Sequence, residues 1–268
     1  MFAGARCRTI AKALVNLSLV RLKGNVKNPT NHRGAFVAFE GLDASGKSTQ
    51  LRTLLDWLRT QAVPHEYISF PRTDEEGYGE AIAMFLRGEF GSVDEVHPYL
   101  VASLFAGDRA TARPVIENWL NASKLVIADR YFYSNVAFQS AKIEDLSAKA
   151  KFQSWIRYVE FECNSIPRPD LTIFFDVPFD FIRENIVTRA GENRSYLNGQ
   201  TDIHEAALEL QEKVAEEYRK VASGDPTFHI LSCVNPKGYM RSVESIRDEV
   251  IMLLTKAQVL RSEARQWR

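Results

Sequence analysis

The chain has 268 residues and lacks most features that would set it apart from ordinary globular proteins. Its longest stretch free of Asp, Glu, Lys and Arg is Val96–Gly107, 12 residues. A membrane-spanning helix needs roughly 17–25 mostly apolar residues, so none is encoded. Cysteine is scarce: Cys7, Cys163 and Cys233 stand too far apart for a metal-ligand spacing or a disulfide framework, and read as free thiols. His65, His97, His204 and His229 form no metal pattern and no nucleophile pair, and read as structural or solvated. Net charge is absent, with 34 basic and 34 acidic residues, which excludes a global footprint for nucleic acid or an anionic membrane. Apolar residues at 45% and charged residues at 25% are the proportions of a folded domain, not a disordered chain. There is no internal repeat.

Acidic residues are missing altogether from residues 1–39, which carry Arg6, Arg8, Lys12, Arg21, Lys23, Lys27 and Arg33. The rest of the chain holds 27 basic against 34 acidic residues, a net of −7. Within this leader 9–22 can form an amphipathic helix, and 25–34 is a linker rich in breakers. Basic, acid-poor and helical is the pattern of an organelle-targeting peptide. A disordered leader, or a start placed too far upstream, is the reading favoured over targeting. The folded domain is expected over 35–268, in the cytoplasm or, through the leader, in a mitochondrion or other organelle.

From Ala35 onward short apolar runs alternate with helical periodicity. The runs are 35–40, 67–70, 124–129, 171–177 and 227–232, and helices are expected over 48–59, 98–120, 178–187 and 203–221. Short strands separated by helices predict an α/β fold with a parallel sheet covered on both faces.

The first run ends in Gly41-Leu42-Asp43-Ala44-Ser45-Gly46-Lys47-Ser48-Thr49. This is the phosphate-binding loop pattern G-x-x-x-x-G-K-[ST], preceded by a strand and followed by a helix. Its glycines let backbone N–H groups turn inward around phosphate oxygens. Lys47 is placed to reach the terminal phosphates of ATP, and the Ser48 hydroxyl to ligate Mg2+. Asp43 inside the loop is electrostatically adverse for phosphate and calls for a separate purpose. A guanine-reading Asn-Lys-x-Asp is lacking, which argues against a switch GTPase. About 230 residues leave no room for a mechanical ATPase's extra domains, so a small-molecule kinase is favoured.

Further along stand Phe70-Pro71-Arg72, then Phe105 and Arg109 one helical turn apart, then Asp129-Arg130-Tyr131 with Ser134-Asn135 and Phe138-Gln139. In this order and spacing the chain resembles the thymidylate kinase family from about residue 35 to 232. The resemblance implies a five-stranded P-loop kinase fold with a mobile lid, and transfer of the γ-phosphate of ATP to dTMP. It assigns Arg72 to the dTMP phosphate, Phe105 to stacking on thymine, Arg109 to its O4 and Asn135 to its N3 edge. It gives Phe138 the exclusion of a ribose 2′-hydroxyl, Asp43 the sugar 3′-hydroxyl, Asp129 magnesium and Arg130 a bridge between the phosphates. Phe70, Ser134 and Gln139 line the same pocket, and Glu40 helps organise magnesium or water. In the lid, Arg189 and Arg194 are the suppliers of transition-state charge, because the phosphate loop lacks a basic residue between its glycines, and Tyr196 approaches the acceptor. Family members commonly form homodimers through helices, for which 98–120 is a candidate. A deoxynucleoside kinase, or a kinase of another pyrimidine monophosphate such as dUMP, is the rival reading.

Overall fold

The computed structural model describes residues 33–189, 195–198 and 202–260. The leader through His32, the lid residue Arg194 and the Arg189 side chain lie outside the described residues. Five strands, β1 (Phe36–Glu40), β2 (His65–Ser69), β3 (Leu125–Asp129), β4 (Leu171–Asp176) and β5 (Phe228–Ser232), form one parallel sheet in the order β2-β3-β1-β4-β5. β1 and β3 are buried throughout, which their near-continuous apolar sequences require of strands covered on both faces.

The helices are α1 (Lys47–Thr60), α2 (Tyr78–Leu86), α3 (Pro98–Asn121), α4 (Phe132–Ser140), α5 (Leu146–Tyr158), α6 (Phe179–Arg189), α7 (Ile203–Ala206), α8 (Leu208–Ala222) and α9 (Val243–Lys256). α1 buries Leu51, Leu54 and Leu58, the stripe whose spacing of three and four marks a helix. α4 packs between α3 and α8. Among the described residues no helix is long and apolar enough to cross a membrane.

Each departure from the sequence reading has a local cause. β2 starts at His65, two residues before the apolar run, because it is an edge strand whose His65 and Glu66 pair with β3 through the backbone, while the Glu66 side chain takes Lys124 at 2.5 Å. The helix expected over 203–221 is interrupted at Ala207, whose ψ of 75° is not helical. There the His204 carbonyl accepts from the Gln211 side chain at 3.0 Å. After α5, Val159–Cys163 winds as one π-helical turn.

Chain order along the sheet reverses at β1, whose neighbours are β3 and β4. A crevice opens outside the carboxyl ends of the strands at such a reversal, and ligands of open α/β sheets bind there. The loops after β1, β2 and β3 all end at it. α2 is held close to the loop after β2 by Gly79: a Cβ at this position would lie 2.1 Å from the Arg72 carbonyl oxygen. Gly79→Ala is expected to force that backbone apart and to destabilise the protein by about 1–3 kcal/mol in urea denaturation; an unchanged midpoint would show that the loop yields freely.

Candidate active site

The loop after β1 begins the site. Ala44 and Gly46 adopt left-handed φ values of 58° and 79°, and α1 starts directly after Gly46 with no side-chain cap. The first N–H groups of a helix have no partner inside it, so this end offers bare donors and the positive end of the helix dipole. Asn185 on α6 donates to the Ala44 carbonyl at 3.0 Å and holds the loop from the far side. The Lys47 ammonium is buried and donates to the Asp129 carboxylate. Burial and the nearby Arg130 lower its pKa, against the pull of Asp129. Tyr67 donates to the other Asp129 oxygen at 3.2 Å. The Ser48 hydroxyl stands at an exposed position one residue on.

Beside this loop lies a cavity of about 230 Å³. Asp43, Phe70, Phe105, Arg130, Asn135 and Phe138 line it, with Ser134, Gln139 and Tyr196. The structure therefore brings together most residues that the resemblance assigns to the acceptor. Arg130 on this lining has a left-handed φ of 64° directly after β3. Its guanidinium donates to Asp43 Oδ1 at 2.7 Å and lies 5.4 Å from the Phe138 ring centroid. Burial alone would lower the Arg130 pKa, but the Asp43 carboxylate outweighs it and raises it. Burial pushes Asp43 up, and Arg130 and Gln211 outweigh that to hold it below the usual carboxylate range.

Two arginines stand off this wall. Arg72 gives its Nε to Asp108 Oδ1 at 2.8 Å and its Nη2 to the Asp108 carbonyl at 2.8 Å, while its neighbours Phe70, Pro71 and Thr73 line the cavity. Arg109 is only 1% exposed and donates from Nε and Nη2 to Glu160, at 2.7 and 2.5 Å. Arg109 is thus held in a buried ion pair on the helix turn next to Phe105, and only Nε and Nη2 of its guanidinium are given to Glu160.

Glu40 departs from the expectation of a role at magnesium or water: it is 0% exposed and its carboxylate is taken up by protein donors. It accepts from the Tyr131 N–H at 3.0 Å, from the Ser134 N–H and hydroxyl at 3.2 and 2.5 Å, and from the Tyr218 hydroxyl at 2.9 Å. Burial raises its pKa, against Ser134, Arg130 and Tyr218.

Sequence reasoning missed three cavity or cavity-edge groups: Asp202, His204 and Gln211. Asp202 accepts from the Tyr196 hydroxyl at 2.9 Å and the His204 N–H at 2.8 Å. His204 is buried, stacks on Phe138 with ring centroids 5.0 Å apart, and turns Nε2 to Lys142 at 3.4 Å. Gln211 donates to Asp43 Oδ2 at 3.0 Å. The signals for these groups are weak: a polar residue on the buried stripe of α8, and an Asp-x-His spacing across the start of α7.

The family model for thymidylate kinase matches residues 39–243. The chain belongs to the thymidylate kinase family. It is 33% identical over 224 residues to a Pyrococcus abyssi protein named "Probable thymidylate kinase", across 83% of this chain and 96% of that one. It is 30% identical over 233 residues to the Arabidopsis thaliana thymidylate kinase, across 87% of this chain and 75% of that one. The solved structure of the Candida albicans thymidylate kinase superposes with a TM-score of 0.63 at 24% identity, covering 85% of this chain and 93% of that one. That likeness establishes the P-loop kinase fold.

Two outcomes follow. Glu40→Ala strands the Tyr131 and Ser134 donors and the Tyr218 hydroxyl, so unfolding free energy should fall by about 2–4 kcal/mol; a change under half that would remove Glu40 from its central place. Burial and the charge of Lys142 push the His204 pKa down to about 3, from 6.5 in the unfolded chain. Between those values the unfolded state binds the extra proton, so stability falls as pH falls from 6.5 towards 3. His204→Phe should flatten this part of the pH–stability curve, measured by urea denaturation at pH 7 and pH 4.5; an equal slope in both proteins would refute the assignment.

Proposed function

We propose that this kinase transfers the γ-phosphate of ATP to the phosphate of dTMP, giving dTDP and ADP. The observation that carries the reading is a shared pair. Asp43 belongs to the phosphate loop and Arg130 to the β3 turn, and they bond to each other on the wall of the cavity beside that loop. Donor and acceptor sites are thus joined through one ion pair. A phosphate acceptor is already anionic and needs no general base, so positioning and charge neutralisation can supply catalysis.

On the donor side the loop Gly41–Thr49 cradles the triphosphate. Lys47 takes a phosphate oxygen in place of Asp129, since phosphate is the competing anion for its charge. Ser48 and Asp129 fit Mg2+: it takes hard oxygen ligands, keeps several waters and needs only one or two protein donors. Among the described residues no group of three or more His, Cys, Asp or Glu is placed to hold a metal ion. The ion's contribution is to neutralise phosphate charge.

On the acceptor side Phe105 stacks on the base, Asn135 reads its edge, and Phe138 closes the space of a 2′-hydroxyl. Asp43 takes the 3′-hydroxyl. Arg130 orients the acceptor phosphate, with Arg72 behind it on Asp108. Tyr196, hydrogen-bonded to Asp202, closes the cavity from the lid side. Arg189 and Arg194 supply charge to the transferred group. A homodimer through α3 is supported by Leu100 and Val115, large apolar side chains left exposed on that helix. The acid-free leader supports organelle import as the alternative to action in the cytoplasm.

The test is a coupled ADP-release assay with Mg-ATP and dTMP, dUMP, UMP, dCMP or thymidine. Turnover is expected with dTMP and not with thymidine. Lys47→Ala should lower kcat by at least ~10²-fold, the scale of losing one charge-stabilising donor. Turnover of thymidine without dTMP would make the protein a nucleoside kinase instead.

A further inference from the structure

The π-helical turn after α5 carries a carboxylate that the reaction does not use. Phe152 and Ile156 are the buried residues of α5, and Glu160 continues their four-residue spacing to a third inward position. An acid on that stripe enters the core between α3 and α4. It is 0% exposed there and has three donors. Arg109 gives two, and the Asn135 amide gives the third, Nδ2 to Glu160 Oε1 at 3.0 Å. The second Asn135 amide hydrogen goes to the Ala102 carbonyl, also at 3.0 Å.

Both acceptors around the Asn135 nitrogen are strict acceptors, a carboxylate and a backbone carbonyl. Turning the carboxamide over would set its oxygen against both of them and lose two bonds in a dry environment. The Asn135 oxygen is therefore fixed on the other side. It is buried and has no hydrogen-bond partner among the described residues, and Asn135 lines the acceptor cavity. Gln139 Oε1 is likewise unpartnered on this wall, but no hydrogen bond among the described residues fixes that carboxamide, so it can turn to suit a ligand.

We infer that Glu160 is a positioning residue that sets base specificity: through Asn135 it presents a locked acceptor to the cavity, which selects pyrimidines carrying an N–H at ring position 3. Thymine and uracil have that donor. Cytosine has a bare nitrogen lone pair there and meets the Asn135 oxygen as acceptor against acceptor. Arg109 serves the same end, since it neutralises Glu160 and keeps the carboxylate ionised and in place. The inference rests on the pyrimidine monophosphate reading above.

The test compares kcat and KM for dTMP, dCMP and N3-methyl-dTMP in the wild type, in Glu160→Gln and in the double variant Arg109→Leu/Glu160→Leu. The double variant removes both charges together, which proteins tolerate far better than loss of one partner. The wild type should reject dCMP and N3-methyl-dTMP. Both variants should narrow the dTMP to dCMP ratio of kcat/KM by ~10-fold or more, the discrimination carried by one buried hydrogen bond, and through KM for dTMP rather than kcat. A merely structural role would lower melting temperature and leave that ratio alone. A wild type that accepts N3-methyl-dTMP as well as dTMP overturns the assignment without any variant. So does an unchanged ratio in a folded variant. A wild type that turns over no pyrimidine monophosphate would instead strike the functional reading itself.

Discussion

Four donors converge on one buried carboxylate at the end of the central strand, and the catalytic geometry depends on that convergence. Glu40 is the last residue of β1 and stands directly before the phosphate loop. Its oxygens tie that strand to the turn after β3, to the first turn of α4 and, through Tyr218, to α8. Removing a charge from water is costly, and only a nearly complete set of donors makes it tolerable. The turn so held contains Arg130, whose left-handed backbone would otherwise carry an uncompensated strain of roughly 1–3 kcal/mol. Arg130 in turn reaches Asp43, so the two halves of the site are referenced to one internal anchor.

The cations around the crevice follow one electrostatic pattern. Lys47 is paired with Asp129, Arg130 with Asp43, Arg72 with Asp108 and Arg109 with Glu160. A cation buried this far needs a counter-charge before any substrate arrives. The pairs differ in depth. Arg109 and Glu160 are sealed at 1% and 0% side-chain exposure, while Arg130 and Asp43 keep 13% and 25%. The sealed pair orients neighbours, and the accessible ones stand where phosphate can compete.

Much of this was legible in the sequence because its signals are local. Phe36-Val-Ala-Phe-Glu40 followed by the glycine-rich loop declares strand, loop and helix within 25 residues. The motif residues Phe105, Arg130, Asn135 and Phe138 also reach a common cavity. What stayed hidden depends on tertiary partners. Glu160, Gln211 and Tyr218 are polar residues on helix stripes that pattern reading assigns to core or surface alike. Nothing in Ala206-Ala207 announces a helix break, because the break is made by a side chain from Gln211. Arg109 shows the opposite limit: its spacing from Phe105 sets both on one face of the helix, but its partner Glu160 stands 51 residues later in the chain.

On the function proposed above, the Lys47–Asp129 contact makes nucleotide capture an exchange rather than a simple addition. The ammonium is never naked, so an incoming phosphate must displace a carboxylate that is tethered at high effective concentration. Part of the intrinsic attraction is thereby cancelled, and the ground-state complex is weaker than the same lysine would give unpaired. The same tether works on departure. As the phosphate leaves, Asp129 is already beside the vacated charge, and the barrier to letting go is lowered. An enzyme that must release a diphosphate at every cycle gains speed from such an internal rival, at the expense of tightness.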